Sequence, residues 1–337
     1  MGCSMSITHT FEYGWIISHE KYINEIYGPK YIFKNLFRVL TPFRMDQEAK
    51  RLALNRPSKQ KGQKRPSQNL IETPEIVQKT IDLLASDLRT QFASLPTDPK
   101  VIADNNQQVR DLVVSLESNE IFHDLHLYEN TAGTVSICGE NLLPPKSAYC
   151  RTDIRYIESV LQGRHFDVVL LDPPWENKHI KRSKSYISMS NKDIFDSIDI
   201  NKLLSPIGVC IIWCTSSKRH QSEAIKWIKD SGLYLLTTYY WLKVTCSGEL
   251  VHSVKKKPSY ELVFIASKLL KKIESRVIIS IPSSVHSHKP PLTQILKDSD
   301  LPWTNGLEIF GRYCLPNWTT IGNQALKLQN IRYYNEN

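Results

Sequence analysis

The 337-residue sequence predicts an α/β protein in which helices wrap a sheet. Three observations carry that expectation. Short apolar runs recur at Phe166 to Leu171, Gly208 to Cys214, Leu233 to Val244, Glu261 to Ala266 and Val277 to Ile281. Several are nearly continuous, which suits strands buried on both faces. Gln221 to Lys229 lies between two of them and reads as a helix. The composition, 41% hydrophobic and 23% charged, is enough to bury a core.

In chain order, residues 1–43 come first. They are rich in aromatics (Phe11, Tyr13, Trp15, Tyr22, Tyr27, Tyr31, Phe33, Phe37) and are expected to form a small element docked on the main body. Their opening, Met1-Gly2-Cys3-Ser4-Met5-Ser6, fits a myristoylation pattern with Cys3 as a second acylation site, although so short a pattern also arises by chance. Residues 44–72 form a basic stretch. From Arg44 to Arg65 there are eight basic and two acidic residues, net +6 of the chain's +9. Too few apolar residues are present for a core, so a flexible linker is expected. Lys50-Arg51 and Lys59 to Arg65 have the form of a split nuclear localisation signal. A plain solvated linker, or an arm on nucleic-acid phosphates, fits the same residues. Residues 73–130 form a helical accessory region. Thr73-Pro74 offers an N-cap followed by proline at the first helical position, and the spacing of Ile76, Ile81, Leu84, Leu88 and Phe92 predicts a helix over 74–92. Residues 131–330 hold the α/β domain.

Several classes are disfavoured. No run of about 18 apolar residues exists, so no membrane span is expected. The first apolar stretch, Trp15 to Ile17, is too short for a secretory signal. The seven cysteines form no Cys-x-x-Cys pair, and Cys210 and Cys214 fall on one face of a strand as packing residues. Free thiols in a reducing compartment are the expectation. His286/His288 is only a weak ligand pair, so no metal site is expected. The positive balance points toward polyanions, nucleic acid above all.

The chemistry sits where the run Phe166 to Leu171 ends in Asp172-Pro173-Pro174-Trp175. A buried strand thus delivers the tetrapeptide to its carboxyl end, the edge at which open α/β sheets bind ligands. An aromatic amine is a poor nucleophile because its lone pair is delocalised into the ring. Acceptors on its N–H groups counter this. The Asp172 carboxylate is one and the Pro173 carbonyl can be a second. Two prolines fix φ and aim that carbonyl in advance. Trp175 offers a flat surface for a base, worth about 1–3 kcal/mol. Without a chemical role, the same four residues are a turn with an exposed aromatic.

At these residues the chain resembles the MT-A70 family of adenine-N6 methyltransferases. The resemblance runs from Cys150 to Leu328 in ordered blocks: Asp153 to Tyr156, Asp172 to Trp175, Tyr186 to Ser190, Ile211 to Thr215, Tyr240 to Lys243, Ser287 to Pro290, Glu308 to Arg312 and Trp318 to Gln324. It implies a Rossmann-like S-adenosylmethionine-dependent methyltransferase fold with permuted motif order, because the catalytic motif precedes the cofactor blocks. The absence of an early Gly-x-Gly-x-x-Gly agrees. The resemblance implies that Asp172, Pro173, Pro174 and Trp175 are catalytic. It implies that Asp153, Ile154, Asp172, Lys289, Phe310, Arg312, Asn323 and Gln324 hold the cofactor. It implies that Trp175, Asn177, Lys178, Arg182, Tyr186, Tyr260 and Glu261 meet the substrate.

One branch of the family matches more closely, through Asp172 to Lys178, Arg182, Tyr186 and Lys257 to Glu261. The spacing from Phe310 to Trp318 is two residues shorter than in members that methylate messenger RNA, so no ribose contact carries over to Tyr313 or Cys314. For the acceptor, the resemblance implies 2′-O-methyladenosine in a small nuclear RNA, notably U2, or deoxyadenosine in DNA. RNA is recognised where bases are unpaired, whereas duplex DNA requires base flipping. A non-catalytic RNA-binding scaffold is the reading from another class, and retention of the tetrapeptide speaks against it. The expected location is the nucleus, with the cytoplasm as a second one, and the expected active form is a monomer for which no obligate protein partner is evident.

Overall fold

The computed structural model describes residues 6–28, 31–33, 36–42, 72–94, 107–116, 124–137, 139–176, 190–252, 257–285 and 287–336. Gly2, Cys3 and the basic stretch from 44 to 71 lie outside them.

The strands are β1 (Ile7–Phe11), β2 (Gly14–Ile17), β3 (Tyr31–Phe33), β4 (Tyr128–Asn130), β5 (Val135–Ile137), β6 (Asn141–Leu143), β7 (Ser147–Cys150), β8 (Phe166–Leu171), β9 (Leu204–Cys214), β10 (Tyr234–Lys243), β11 (Tyr260–Ser267), β12 (Val277–Ser280), β13 (Gly306–Ile309), β14 (Trp318–Ile321) and β15 (Tyr334–Glu336). Eleven of them form one sheet in the order β1-β2-β12-β10-β11-β9-β8-β13-β14-β7-β4. The sheet is mixed and mostly parallel. β8 pairs in parallel with β9 and β13, and β14 in parallel with β13 and β7. β11 runs antiparallel between β9 and β10.

The sheet has two apolar faces, and the period-2 alternation of strand side chains divides its residues between them. Val169, Leu171, Cys210, Ile212 and Cys214 join one core with Val77, Leu84, Ile157, Ala224 and Ile228 from the helices. Val168, Leu170, Val209, Ile211 and Trp213 join the other with Trp15, Tyr22, Tyr27, Phe33 and Phe37. The N-terminal aromatics therefore cover one face of the sheet. β2 also extends it, pairing in parallel with β12. Gly14 makes that pairing possible, since a Cβ there would lie 1.9 Å from the Val277 carbonyl oxygen.

Four expected strands and the helix between two of them differ from observation only at their ends: Leu204–Cys214, Tyr234–Lys243, Tyr260–Ser267, Val277–Ser280 and helix Lys218–Asp230. The helix expected over 74–92 is shorter. It spans Glu75–Ala85, with Pro74 at the cap and no side-chain cap bond. Ser86 ends it by donating from its hydroxyl to the Asp82 carbonyl at 3.2 Å, the kind of local bond that competes with the helical ladder. Leu88 is still buried after the break. Among the described residues no helix is long and apolar enough to cross a membrane.

Candidate active site

Strand direction gathers the site. β7, β8, β9, β10, β12, β13 and β14 point the same way, and β11 enters from that end. Their ends deliver Asp153, Asp172, Thr215, Lys243, Glu261, Arg312 and Gln324 to one edge of the sheet, although these residues span more than 170 positions of chain. Lys289 reaches the same edge on the loop after β12. β8 sits where the chain order turns: β9 follows it on one side, while β13 and β14 return on the other. Such a switch point opens a crevice at the strand ends.

Asp172 is the first residue after β8. Its backbone N–H donates to the Ile309 carbonyl at 3.2 Å, which fixes the turn. Its carboxylate lies 3.5 Å from the Lys289 ammonium, and each side chain is 10% exposed. Lys289 also donates to Glu261, which receives Lys243 on its other oxygen. Lys289 further lies 5.3 Å over the Trp213 ring.

Two carboxylates and two ammoniums thus share one buried edge, and they do not share evenly. Burial opposes the charge on Glu261, but Lys289 and Lys243 outweigh it and hold that carboxyl well below its usual range. Burial pushes Asp172 up, against the weaker pull of Lys289 and Arg312. Lys289 stays charged because Asp172 and Glu261 together overcome its burial. Burial lowers Lys243, which has only a share of Glu261. The result is one firmly ionised carboxylate, Glu261, beside one with raised proton affinity, Asp172.

Pro173 is buried and Pro174 exposed. The Pro173 carbonyl accepts the Trp175 N–H at 2.8 Å and keeps a second lone pair. Trp175 is not the open surface that the sequence suggests. It is 8% exposed, its Nε1–H donates to the Trp213 carbonyl at 2.9 Å, and its ring stacks on His220. A large apolar ring next to β9 gains more by burial than by exposure.

On the other side of Asp172, Arg312 donates through Nε to Gln324 at 2.9 Å and through Nη1 to the Ser287 carbonyl at 3.1 Å. Asn323 beside Gln324 is exposed. Phe310 and Ser287 hold left-handed φ values of 67° and 62° without being glycine, a strain that the surrounding structure sustains. Gly322 packs against Phe310 so closely that a Cβ would come within 3.1 Å of its Cα. Asp153 caps the short 3₁₀ turn Ile154–Tyr156, accepting from the Arg155 N–H at 3.0 Å and pairing with its guanidinium at 2.9 Å. Arg155 is well exposed, so that pair is weak. The Ile154 side chain lies in the core.

Tyr260 meets Tyr240 edge-on at 6.0 Å, beside Glu261. Asn177, Lys178, Arg182 and Tyr186 lie outside the described residues, as does His286. Glu308 is a buried group to which the sequence reading gave no role. Burial and the nearby Asp172 push its carboxyl up to about 8, with Arg312 opposing. A lone glutamate inside the apolar strand β13 was the available signal.

Comparison with known proteins agrees with this layout. Residues 166–324 match the MT-A70 family model, from the start of β8 to Gln324 just beyond β14. The chain is 33% identical over 246 residues to the human "N(6)-adenine-specific methyltransferase METTL4", covering 65% of this chain and 51% of that protein. It is 30% identical over 221 residues to the "DNA N6-methyl methyltransferase" of Caenorhabditis elegans, covering 63% and 59%. It is 28% identical over 279 residues to the "N6-methyladenosine RNA methyltransferase MTA1" of Pyricularia oryzae, covering 75% and 72%. The chain spans about half the length of the human relative. Residues 166–324 of this chain carry an MT-A70 domain.

Proposed function

We propose that this chain transfers a methyl group from S-adenosylmethionine to N6 of adenine in a nucleic acid. The observation that carries the reading is the convergence of Asp172, Lys289, Arg312 and Gln324 at the carboxyl ends of β8, β13 and β14. The fold is read as permuted, since Asp172 precedes Phe310 to Gln324, with the residues before 131 as an N-terminal extension.

The donor set fits this cofactor. Lys289 and Arg312 suit its carboxylate, the amides of Asn323 and Gln324 suit ribose hydroxyls, and Asp153 with the Ile154 backbone suits adenine. The close approach of Gly322 to Phe310 leaves no room for a Cβ and keeps the cradle floor flat. When bound, S-adenosylmethionine supplies an electrophilic methyl group.

The chain's own residues then prepare the acceptor amine. The Asp172 carboxylate accepts one N–H and the free lone pair of the Pro173 carbonyl accepts the other. The amine nitrogen must lose a proton as it gains carbon, and the raised proton affinity of Asp172 suits it to receive that proton. Glu261 cannot compete for it while two ammoniums hold it ionised.

The preferred acceptor is RNA, with 2′-O-methyladenosine in U2 small nuclear RNA as the specific expectation. Deoxyadenosine in DNA is the second reading, supported by the name of the nematode relative. Methylation of matched RNA and DNA oligomers, with and without a 2′-O-methyl group on the target, decides between them by nucleoside mass spectrometry. Asp172→Ala should fold and lose turnover by about a hundredfold or more, the scale of one positioned polar group. A variant that kept over a tenth of wild-type turnover would remove Asp172 from the chemistry. Failure to bind S-adenosylmethionine at all would favour a non-catalytic scaffold.

A further inference from the structure

We propose that His220 is a positioning residue that sets the plane of Trp175, and through it the face of the indole that meets the acceptor base. The proposal rests on the reading of Asp172 to Trp175 as the catalytic turn.

Two contacts besides His220 hold Trp175. Its Nε1–H donates to the Trp213 carbonyl at 2.9 Å, and Phe195 meets it edge-on at 5.8 Å and 61°. The His220 ring lies flat against one indole face, at 4.9 Å between centroids with only 18° between planes, and so opposes a tilt of the indole toward that side.

His220 is itself held. It sits in the first turn of helix Lys218–Asp230, and its Nδ1 lies 2.7 Å from the Thr215 hydroxyl at the end of β9. Thr215 also accepts the Ser217 N–H at 3.3 Å. The clamp therefore connects the start of this helix, the end of β9 and the turn after β8. Burial lowers the His220 pKa, so the stacked ring is a neutral imidazole at neutral pH. Stacking between such rings prefers an offset parallel arrangement and contributes beyond area alone.

The geometric consequence is direct. One indole face is covered by His220 and only 8% of Trp175 is exposed, so an acceptor base can meet only the small part of the ring left open to the crevice. Asp172 and the Pro173 carbonyl lie two or three residues away on the same turn. A tilt of the indole would displace a base from both acceptors without touching the groups beyond Asp172, around Arg312 and Gln324.

The test compares His220→Ala, His220→Phe and His220→Asn with the wild-type protein on an adenine-bearing RNA oligomer. Phenylalanine keeps the stack and loses the Thr215 bond; asparagine does the reverse. Alanine and asparagine should raise the oligomer KM roughly two- to tenfold, the range of one aromatic pair. Phenylalanine should restore it, and all three should keep the wild-type dissociation constant for S-adenosylhomocysteine. If His220→Ala does not fold, the phenylalanine and asparagine pair decides alone. An alanine variant within error of wild type, loss of cofactor affinity in parallel, or rescue by asparagine instead of phenylalanine would each overturn the proposal. A wild-type protein that methylates no adenine would bring down the underlying reading and this proposal together; an active wild type with indifferent His220 variants would bring down this proposal alone.

Discussion

His288 and Lys289 are consecutive, both are buried, and they face opposite environments. Lys289 enters the carboxylates of Asp172 and Glu261, with the Trp213 ring beside them. His288 enters a box of rings: Tyr313 at 4.9 Å, Phe37 at 5.3 Å, His19 at 6.0 Å and Phe33 at 6.4 Å. Among the described residues neither of its ring nitrogens has a hydrogen-bond partner. Burial and the nearby Arg312 push its pKa down to about 3, so it is neutral. The two regions differ in origin too. The charged network lies within residues 166–324, whereas three rings of the box come from residues 19–37. The comparison teaches that the MT-A70 domain supplies the ionised groups, while the N-terminal segment supplies a rigid apolar backing one residue away. Tyr313 joins the two regions, since its hydroxyl donates to the Lys289 carbonyl at 2.9 Å.

The largest expected effect comes from breaking the charged side. Glu261→Gln leaves Lys243 and Lys289 with Asp172 as their one remaining carboxylate in this network. Loss of one partner from a buried pair costs about 3–5 kcal/mol, so urea denaturation should show a drop of at least about 2 kcal/mol after allowing for partial exposure. An unchanged midpoint would mean that water already screens the network.

Next comes Glu308, behind Asp172. Its carboxyl is raised to about 8 in the folded protein, against the ordinary value near 4.5. Between those values the folded state keeps a proton that the unfolded chain has released. Stability contributed by the neutral acid is therefore complete at low pH and falls as pH rises through 8, at no more than about 1.4 kcal/mol per pH unit. Glu308→Gln should flatten that limb of a stability-against-pH curve. A variant with the wild-type slope would show that Glu308 is ionised in the fold.

The smallest effect tests the box. His288 is neutral when folded, so the unfolded chain binds the extra proton between about pH 6.5 and 3. Stability is complete above 6.5 and is lost as pH falls toward 3. His288→Phe removes both ring nitrogens and adds one ring atom, so relief of the buried polar groups and crowding of the box offset each other. It should change stability at pH 7 by about 1 kcal/mol or less and shrink the acid loss. A large destabilisation by phenylalanine would mean that the ring nitrogens hold a hydrogen bond after all.

Much of the fold was legible because its central strands are apolar runs with turn residues at their ends. β8, β9, β10, β11 and β12 announce themselves in this way. β13 and β14 do not. Glu308 interrupts the first and Thr319 with Thr320 the second, so neither is an apolar run, and they form strands because β8 and β7 lie alongside. β2 needed Gly14 to approach Val277, a fact about a partner 260 residues away. Within the site, Asp172 was legible from the tetrapeptide and its strand. His220 was not, since a histidine opening a helix carries no sign that it backs an indole.

By itself the sequence determined which residues could do chemistry, because acidity, ring size and the fixed φ of proline are properties of single residues and their near neighbours. Tertiary structure alone decided what state those groups are in. Asp172, Glu261 and Glu308 are the same functional group in three environments: one raised by burial against the pull of Lys289, one ionised between two ammoniums, one raised to about 8 by burial. A carboxyl's proton affinity depends on its neighbours' charge and on the water left around it, and both are set by strands that meet only when the chain is folded.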